Sequence, residues 1–199
     1  IAPFHVMELI ARTRELEAAG RDIVHLEVGE PDFDTPPTII SAAQAFLARG
    51  TVKYTPALGI PELRRAISQF YRERFNVEVD PARIVVTAGA SGALQLALGV
   101  LVEAGGEWLL PDPGYPCIRH FVRVFEGRPI GLPVGAETAF QPTADLIDAS
   151  WQPSTQGIVL ASPSNPTGTL LAADEMARII DVVRQRRGSI VVDEIYQGL

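Results

Sequence analysis

Residues 157–168 read GIVLASPSNPTG, and this stretch decides the fold class. Its first part, Gly157 to Ala161, is apolar throughout instead of alternating, which is typical of a strand buried on both faces of a parallel sheet. Pro163 and Pro166 then bracket Asn165, and a residue that precedes a proline is pushed out of helical conformations. The stretch therefore predicts a buried strand that ends in a rigid polar loop.

Similar apolar runs alternate with helical patterns from residue 83 onward. The other predicted strands are Ile84 to Thr87, Trp108 to Leu110, Pro129 to Leu132 and Ile190 to Val192. The predicted helices are Ser91 to Glu103, Cys117 to Phe125, Thr143 to Ala149 and Ala172 to Arg187. This alternation indicates an α/β protein with a mostly parallel, doubly wound sheet and flanking helices. In such a sheet, ligands bind beyond the carboxyl ends of the strands.

The N-terminal part of the chain has a mainly helical pattern. Apolar residues from Val6 to Leu16 fall on one helical face, and Gly20 ends the pattern as a C-cap residue does. A short strand is predicted at Ile23 to Val28, before a turn-rich segment. Two further helices are predicted at Ile39 to Leu47 and Pro61 to Phe75, the latter with a proline at its first position.

Charge excludes one class of partner. The chain of 199 residues has a formal net charge of -7 and a pI near 5.0, whereas nucleic-acid binding requires a clustered basic face. The nearest cluster, Arg184, Arg186 and Arg187, lies at a predicted helix C-terminus, where cations are commonly found. We expect no nucleic-acid partner.

Cysteine and histidine usage points to the cytoplasm and to no metal site. Cys117 is the one cysteine in the sequence, which excludes an internal disulfide and fits a reducing compartment. The longest nearly apolar stretch, Gly92 to Val102, is too short to cross a bilayer, so no membrane partner is expected. Three histidines show no metal-ligand spacing: His5, His25 and His120.

Four loops that follow predicted strands contain the residues suited to chemistry. The turn in TAGASGALQLAL (87–98) is glycine-rich and opens a helix, which suits either a phosphate or a tight strand-to-helix turn. In PDPGYPCIRHF (111–121), stiffening prolines hold Tyr115 either against a flat ligand or as a cap on the core. Asn165 is the amide described above.

The fourth loop ends the last predicted strand. In VVDEIY (191–196), Asp193 follows a buried strand and Tyr196 lies three residues further on. A carboxylate at the end of a buried strand is costly unless it has a partner. That partner could be a helix N-terminus, an arginine or a protonated ring nitrogen of a cofactor.

Six motifs in the same order along the chain resemble the fold-type I pyridoxal-phosphate enzymes, and more narrowly the class I/II aminotransferases of the aspartate aminotransferase superfamily. The motifs are LEVGEPDFDTP, KYTPALGIPELRRAI, VTAGASGALQLAL, PDPGYP, SPSNPTG and VVDEIY. The resemblance implies transfer of an amino group from an α-amino acid to a 2-oxo acid, with pyridoxal 5′-phosphate as the cofactor.

The resemblance also implies roles for individual residues. The turn Gly89, Ala90 and Ser91 would hold the cofactor phosphate. Tyr115 would stack on the pyridine ring, and Asp193 would pair with its nitrogen. Asn165 and Tyr196 would hydrogen-bond the phenolic oxygen of the ring. Gly29 and Asn165 would bind the substrate.

Further expectations concern assembly and domains. By the resemblance, Tyr54 would reach the phosphate of a neighbouring subunit, which implies a homodimer with shared active sites. The peptide bonds Asp112-Pro113 and Asn165-Pro166 are predicted to be cis. Residues 1–36 are predicted to form an N-terminal arm and small-domain segment, and residues 37–199 a cofactor-binding large domain that is incomplete at its C-terminal end.

One residue that the resemblance requires is not found. The family's catalytic lysine, which forms a Schiff base with the cofactor, is expected after the VVDEIY motif, and the one lysine of this sequence is Lys53. The chain therefore looks like the N-terminal portion of an enzyme, with a trimmed start at Ile1 and without activity on its own. Three alternatives stay open: a lyase or synthase on the same fold, a non-catalytic effector-sensing domain, and an inert fragment.

Overall fold

A computed structural model describes residues 5–29 and 33–197. The chain divides into two compact units, the first ending at Val85 and the second beginning at Val86. The predicted domain boundary between residues 36 and 37 stays a prediction.

The N-terminal unit is helical. Helix α1 spans His5–Ala18, α2 spans Pro37–Ala48 and α3 spans Pro61–Phe75, followed by a 3-10 turn at Pro81–Arg83. Helices α2 and α3 have proline in their first turn, where the missing N–H costs no hydrogen bond. The three helices predicted for this part of the chain are confirmed.

Two predicted strands are wrong. Ile23 to Val28 and Ile84 to Thr87 belong to no strand in the structure. A strand requires a hydrogen-bonded neighbour, and no described residue forms a ladder with either segment. In the first of them, Val24 and Leu26 are also largely exposed.

The C-terminal unit contains a four-stranded parallel sheet. Its strands are β1 Glu107–Asp112, β2 Arg128–Pro133, β3 Thr155–Ala161 and β4 Ser189–Asp193, in the order β2-β1-β3-β4. The register pairs Asp112 with Pro133 and Ala161 with Asp193. The carboxyl ends of the strands therefore lie along one edge of the sheet.

Helices cover both faces of this sheet. They are α4 Gly89–Leu101, α5 Pro116–Val124, α6 Ala144–Ser150 and α7 Ala173–Gln185. In β1, Trp108 and Leu110 pack with residues of α4 and α5, whereas Leu109 packs with residues of α6 and α7. This alternation buries the middle strands β1 and β3 on both sides and confirms the doubly wound α/β fold.

The strand order creates a switch point between β1 and β3. The connection through α5 leads from β1 to β2 at one side, and the connection through α7 leads from β3 to β4 at the other. Ligands of open α/β sheets bind in the crevice at the carboxyl ends of such a pair. None of the described helices is both long enough and apolar enough to cross a bilayer.

Candidate active site

A cavity of about 230 Å³ lies at the carboxyl edge of the sheet. Seven of the residues predicted to bind the cofactor line it: Gly89, Ala90, Ser91, Tyr115, Asn165, Asp193 and Tyr196. Three neighbours that the sequence did not single out complete the wall: Ala88, Leu94 and Ile195. The parallel register thus brings together residues that are far apart in the sequence.

The amino end of α4 forms one wall of the cavity. Gly89 has φ +76, a conformation that side chains other than glycine rarely adopt, although a Cβ there would meet no described atom within 4 Å. The Gly89 N–H donates to the Thr87 carbonyl at 2.9 Å, and no side chain of the described residues caps the helix, so the N–H groups that follow Gly89 are available to an anion. Thr87, which sequence reasoning missed, donates its hydroxyl to the Gly89 carbonyl oxygen at 2.8 Å and fixes the turn.

Tyr115 forms a second wall and belongs to the loop after β1. It packs against the core cluster of α4 and α5 and also lines the cavity. Burial raises the pKa of its phenol, the Cys117 thiol raises it further, and a hydrogen bond with Ser91 acts in the opposite direction. The phenol is therefore neutral near pH 7 and presents an uncharged ring.

The turn before Tyr115 is tight. A Cβ on Gly114 would come within 2.5 Å of the Pro111 carbonyl oxygen, so only glycine fits there. The Asp112-Pro113 peptide bond is cis, as predicted.

Asn165 lies in the loop between β3 and α7. The loop closes on itself, because the Ser164 N–H donates to the Thr169 carbonyl at 2.9 Å and the Gly168 N–H donates to the Ser164 carbonyl at 2.8 Å. The predicted cis bond Asn165-Pro166 is confirmed, and Ser162-Pro163 is also cis, which the sequence reasoning missed. The signal for it was Pro163, the first proline of the same motif.

Asp193 ends β4 opposite Ala161, the last residue of β3. Its Oδ1 accepts a hydrogen bond from the Ile195 N–H at 3.1 Å, and its carbonyl accepts one from the Ser162 N–H at 3.1 Å. Within residues 5–29 and 33–197, no basic side chain forms an ion pair with this carboxylate. Of the three partners that the sequence left open, an arginine is thus not observed in the described part of the chain.

The remaining predicted residues belong to the N-terminal unit. Tyr54 is fully exposed and lines an open cavity with Val52 and Lys53. Gly29 is exposed, and a Cβ added to it would meet no described atom within 4 Å. The residues that follow it in its motif, 30–32, lie outside the described residues.

A doubly wound α/β unit with a helix terminus, an aromatic ring, an amide and a carboxylate around one cavity is suited to a phosphorylated, planar, charged ligand. The chain belongs to the family "Aminotransferase class I and II", whose model matches residues 21–199. The resemblance drawn from the six motifs is confirmed.

Individual relatives agree with this family. The chain is 37% identical over 199 residues to a valine–pyruvate aminotransferase of Mycobacterium tuberculosis, covering 100% of this chain and 51% of that protein. It is 33% identical over 199 residues to an aspartate aminotransferase of Bacillus subtilis, with the same two coverages. An aspartate aminotransferase structure from Thermus thermophilus with maleate superposes with a TM-score of 0.93 at 31% identity, covering 98% of this chain and 51% of that one. The chain therefore spans about half the length of these relatives.

The family's cofactor is pyridoxal 5′-phosphate, and the cavity fits it. The start of α4, with Ser91 beside it, suits the phosphate. The neutral Tyr115 ring suits the face of a pyridine, and the Asp193 carboxylate, which has no ion-pair partner in the described chain, suits a protonated ring nitrogen. These three features stand on three different loops and line one cavity.

Proposed function

We propose that the full gene product is a pyridoxal-phosphate-dependent aminotransferase that moves an amino group from an α-amino acid to a 2-oxo acid. The observation that supports this most strongly is the cavity of about 230 Å³, which gathers residues from the loops after β1, β3 and β4 around the start of α4. Relatives named valine–pyruvate and aspartate aminotransferase support the same class of substrates.

In this proposal the cavity residues hold the cofactor from four sides. Ser91 and the Ala90 N–H bind the phosphate, Gly89 shapes the turn that presents them, and Tyr115 packs on the ring. Asn165 and Tyr196 donate hydrogen bonds to the phenolic oxygen. Because α4 places no acidic residue in its first turn, its positive end is free to face the phosphate.

The Asp193 carboxylate has the electrostatic role. When bound, pyridoxal phosphate supplies an aldehyde that reacts with amines and a ring that withdraws electrons from the α-carbon of the amino acid. Asp193 keeps a proton on the ring nitrogen, because a nearby negative charge favours the protonated form of a base. The turn hydrogen bond from Ile195 orients the carboxylate for this contact.

The described residues that line the cavity include no lysine that could attach the cofactor covalently. The one lysine of the sequence is Lys53, an exposed residue of the N-terminal unit that matches no catalytic position in the family's motifs. We therefore expect a protein made of these 199 residues alone to bind pyridoxal phosphate non-covalently and not to catalyse transfer.

An amino-group balance tests the reaction. The full gene product is incubated with pyridoxal phosphate, an α-amino acid and a 2-oxo acid, and both products and free ammonia are quantified. Transamination converts the two substrates mole for mole and releases no ammonia. Stoichiometric ammonia release would instead support the lyase alternative, and the absence of both cofactor binding and turnover would support the effector or inert alternatives.

The proposal includes a homodimer in which Tyr54 of one subunit reaches the phosphate of the other. The support is that Tyr54 is fully exposed within its own unit. Because tyrosine rings are more often partly buried, this exposure favours a contact with another subunit. Sedimentation analysis of the full gene product should give a dimer, and Tyr54→Phe should weaken cofactor binding about fivefold through loss of one hydrogen bond. A monomer that binds the cofactor normally would contradict this part of the proposal.

The proposal also includes a cytoplasmic location and a role in amino-acid metabolism. The single cysteine supports the location, because it fits a reducing compartment.

A further inference from the structure

We propose that Gln141 is a positioning residue for the candidate active site, because its side-chain amide fastens both ends of the loop that carries Asn165. The expected effect of Gln141 on cofactor binding rests on the proposed function. The hydrogen bonds by which Gln141 holds the loop are observed in this chain and do not depend on that function. Gln141 lies in none of the six motifs, between β2 and α6.

The amide of Gln141 spans the base of the loop. The side chain is only 5% exposed. Its Nε2 donates to the carbonyl oxygen of Ala161 at 3.2 Å and to the carbonyl oxygen of Thr169 at 2.9 Å. It also lies 3.3 Å from the Thr169 hydroxyl oxygen. Ala161 is the last residue of β3 and Thr169 follows the loop, so one NH₂ group joins the two ends.

The loop depends on the same acceptor. The Thr169 carbonyl also accepts the Ser164 N–H at 2.9 Å, and Ser164 is only 7% exposed. Without the Gln141 donor, the carbonyl of Ala161 loses this partner and that of Thr169 keeps only the bond within the loop. A buried polar group that loses its partner is costly, so the loop is expected to shift or open.

The loop lies beside two other parts of the site. Gln141, Ser164 and Tyr115 line one small cavity of about 20 Å³ beside the candidate active site. The Ser162 N–H donates to the Asp193 carbonyl at 3.1 Å. Binding sites require their contact residues to be held by such supporting hydrogen bonds, since small displacements weaken the contacts. Gln141 therefore acts on the cofactor through Asn165.

The test compares two glutamines in the full gene product: Gln141, which contacts the carboxyl end of β3, and Gln156, which lies near its amino end. Gln141→Met removes the donor and keeps the size of the side chain. The matched control is Gln156→Met, because the Gln156 Oε1 accepts from the Glu103 N–H at 3.0 Å and from Trp108 Nε1 at 3.3 Å, at the amino end of β3. Both variants lose amide hydrogen bonds, but only the first touches the Asn165 loop.

Two measurements are made. Hydrogen–deuterium exchange of the cofactor-free protein should show faster exchange in residues 162–169 for Gln141→Met and wild-type exchange there for Gln156→Met. Titration with pyridoxal phosphate should show binding weakened about fivefold to tenfold for Gln141→Met alone. The pH midpoint of the absorbance change of the bound cofactor should rise, because the Asn165 amide no longer stabilises the ionised ring oxygen.

Two further variants keep the proposal falsifiable. Gln141→Asn keeps a neutral amide donor on a shorter side chain, so its loop exchange and pH midpoint should lie between those of the wild type and Gln141→Met, even if Gln141→Met folds poorly. In an Asn165→Ala background, Gln141→Met should cause no further shift of the midpoint, because the two residues act in series. The proposal is overturned if the two Gln→Met variants behave identically. It is also overturned if Gln141→Met still shifts the pH midpoint in the Asn165→Ala background. If the wild-type protein binds no pyridoxal phosphate, the proposed function fails, and the exchange experiment still decides whether Gln141 holds the loop.

Discussion

The two units of this chain bury their apolar side chains to very different extents. All the buried hydrophobic residues of the described chain lie in the C-terminal unit, between Leu94 and Val183. Among the described residues up to position 85, the one buried residue is Ser68, which donates its hydroxyl to the Val79 carbonyl. In the same unit Phe46 and Leu47 are more than half exposed.

The difference teaches which part of the site the chain builds by itself. In the C-terminal unit, helices on both faces bury the middle strands β1 and β3, so the loops that follow these strands are held by a packed core. Its predicted site residues share one cavity. In the N-terminal unit, Gly29 and Tyr54 lie on segments that their own unit leaves exposed, so their predicted roles require a surface from elsewhere.

The largest effect is expected at the carboxylate of the C-terminal unit. Asp193→Asn keeps the shape of the side chain and removes its charge, so the ring nitrogen of the cofactor loses the group that keeps it protonated. We expect kcat/KM of the full gene product to fall on the order of 100-fold to 1000-fold, the cost of removing one preorganised electrostatic contact. Steady-state kinetics with an amino acid and a 2-oxo acid measure it.

Glu194→Gln is the matched control, since Glu194 is the exposed neighbour of Asp193 and is not among the described residues that line the candidate active-site cavity, although both carboxylates line an adjoining one. It should change kcat/KM less than about twofold. Equal losses in the two variants would mean that net charge near the cavity matters and that the specific contact of Asp193 does not.

A smaller effect is expected on stability, and it differs between the units. Ile158 is fully buried in β3, so Ile158→Ala should lower the free energy of unfolding by about 3 kcal/mol. Leu47 in α2 is 64% exposed, so Leu47→Ala should change it by less than about 0.5 kcal/mol. Urea unfolding of the full gene product measures both.

This pair of variants can break the comparison directly. If Leu47→Ala lowers the free energy of unfolding as much as Ile158→Ala does, the apolar face of α2 is covered in the full gene product. The difference in burial between the two units would then hold only for these 199 residues taken alone. If the two costs differ as expected, the C-terminal unit supplies its own stability.

The sequence predicted elements well where the signal is local. The periodic helices and the four strands of the sheet are found within a few residues of the predicted bounds, and Trp108 to Leu110 extends to Glu107–Asp112. The strands predicted at Ile23 to Val28 and Ile84 to Thr87 failed because apolar composition does not show whether a partner strand is available.

The same limit applies to the site. Tyr115, Asn165 and Asp193 were found because each lies at or shortly after the carboxyl end of a strand, and parallel register brings such positions together. Gln141 was not found, because it follows a 3-10 turn and is separated from the loop it supports by many residues of sequence. No periodic pattern marks it. Hydrogen bonds between distant loops are decided by packing, which a single sequence does not display.

The smallest expected effect concerns pH and the N-terminal unit. The imidazole of His25 lies between two carboxylates, with Nε2 2.8 Å from Glu17 Oε1 of α1 and Nδ1 2.6 Å from Glu27 Oε1. Hydrogen bonds with Glu17 and then Glu27 raise the pKa of His25 to about 8, from 6.5. The pKa of Glu27 is lowered, chiefly by the same His25 contact.

The direction of the pH dependence follows from these shifts. A group whose pKa is raised on folding stabilises the fold fully below its unfolded pKa of 6.5 and loses that contribution as the pH rises through about 8. Hydrogen exchange in α1, corrected for the intrinsic pH dependence of exchange, should therefore accelerate between about pH 6 and pH 9. The effect is small because His25 and Glu17 face solvent, where ion pairs contribute little, although the Glu27 side chain is only 12% exposed. In His25→Gln the acceleration should vanish, whereas His5→Gln, which alters another exposed histidine of the same unit paired with Glu8 at 2.9 Å, should retain it. Acceleration that survives in His25→Gln would show that the link between α1 and residues 21–29 does not depend on this imidazole.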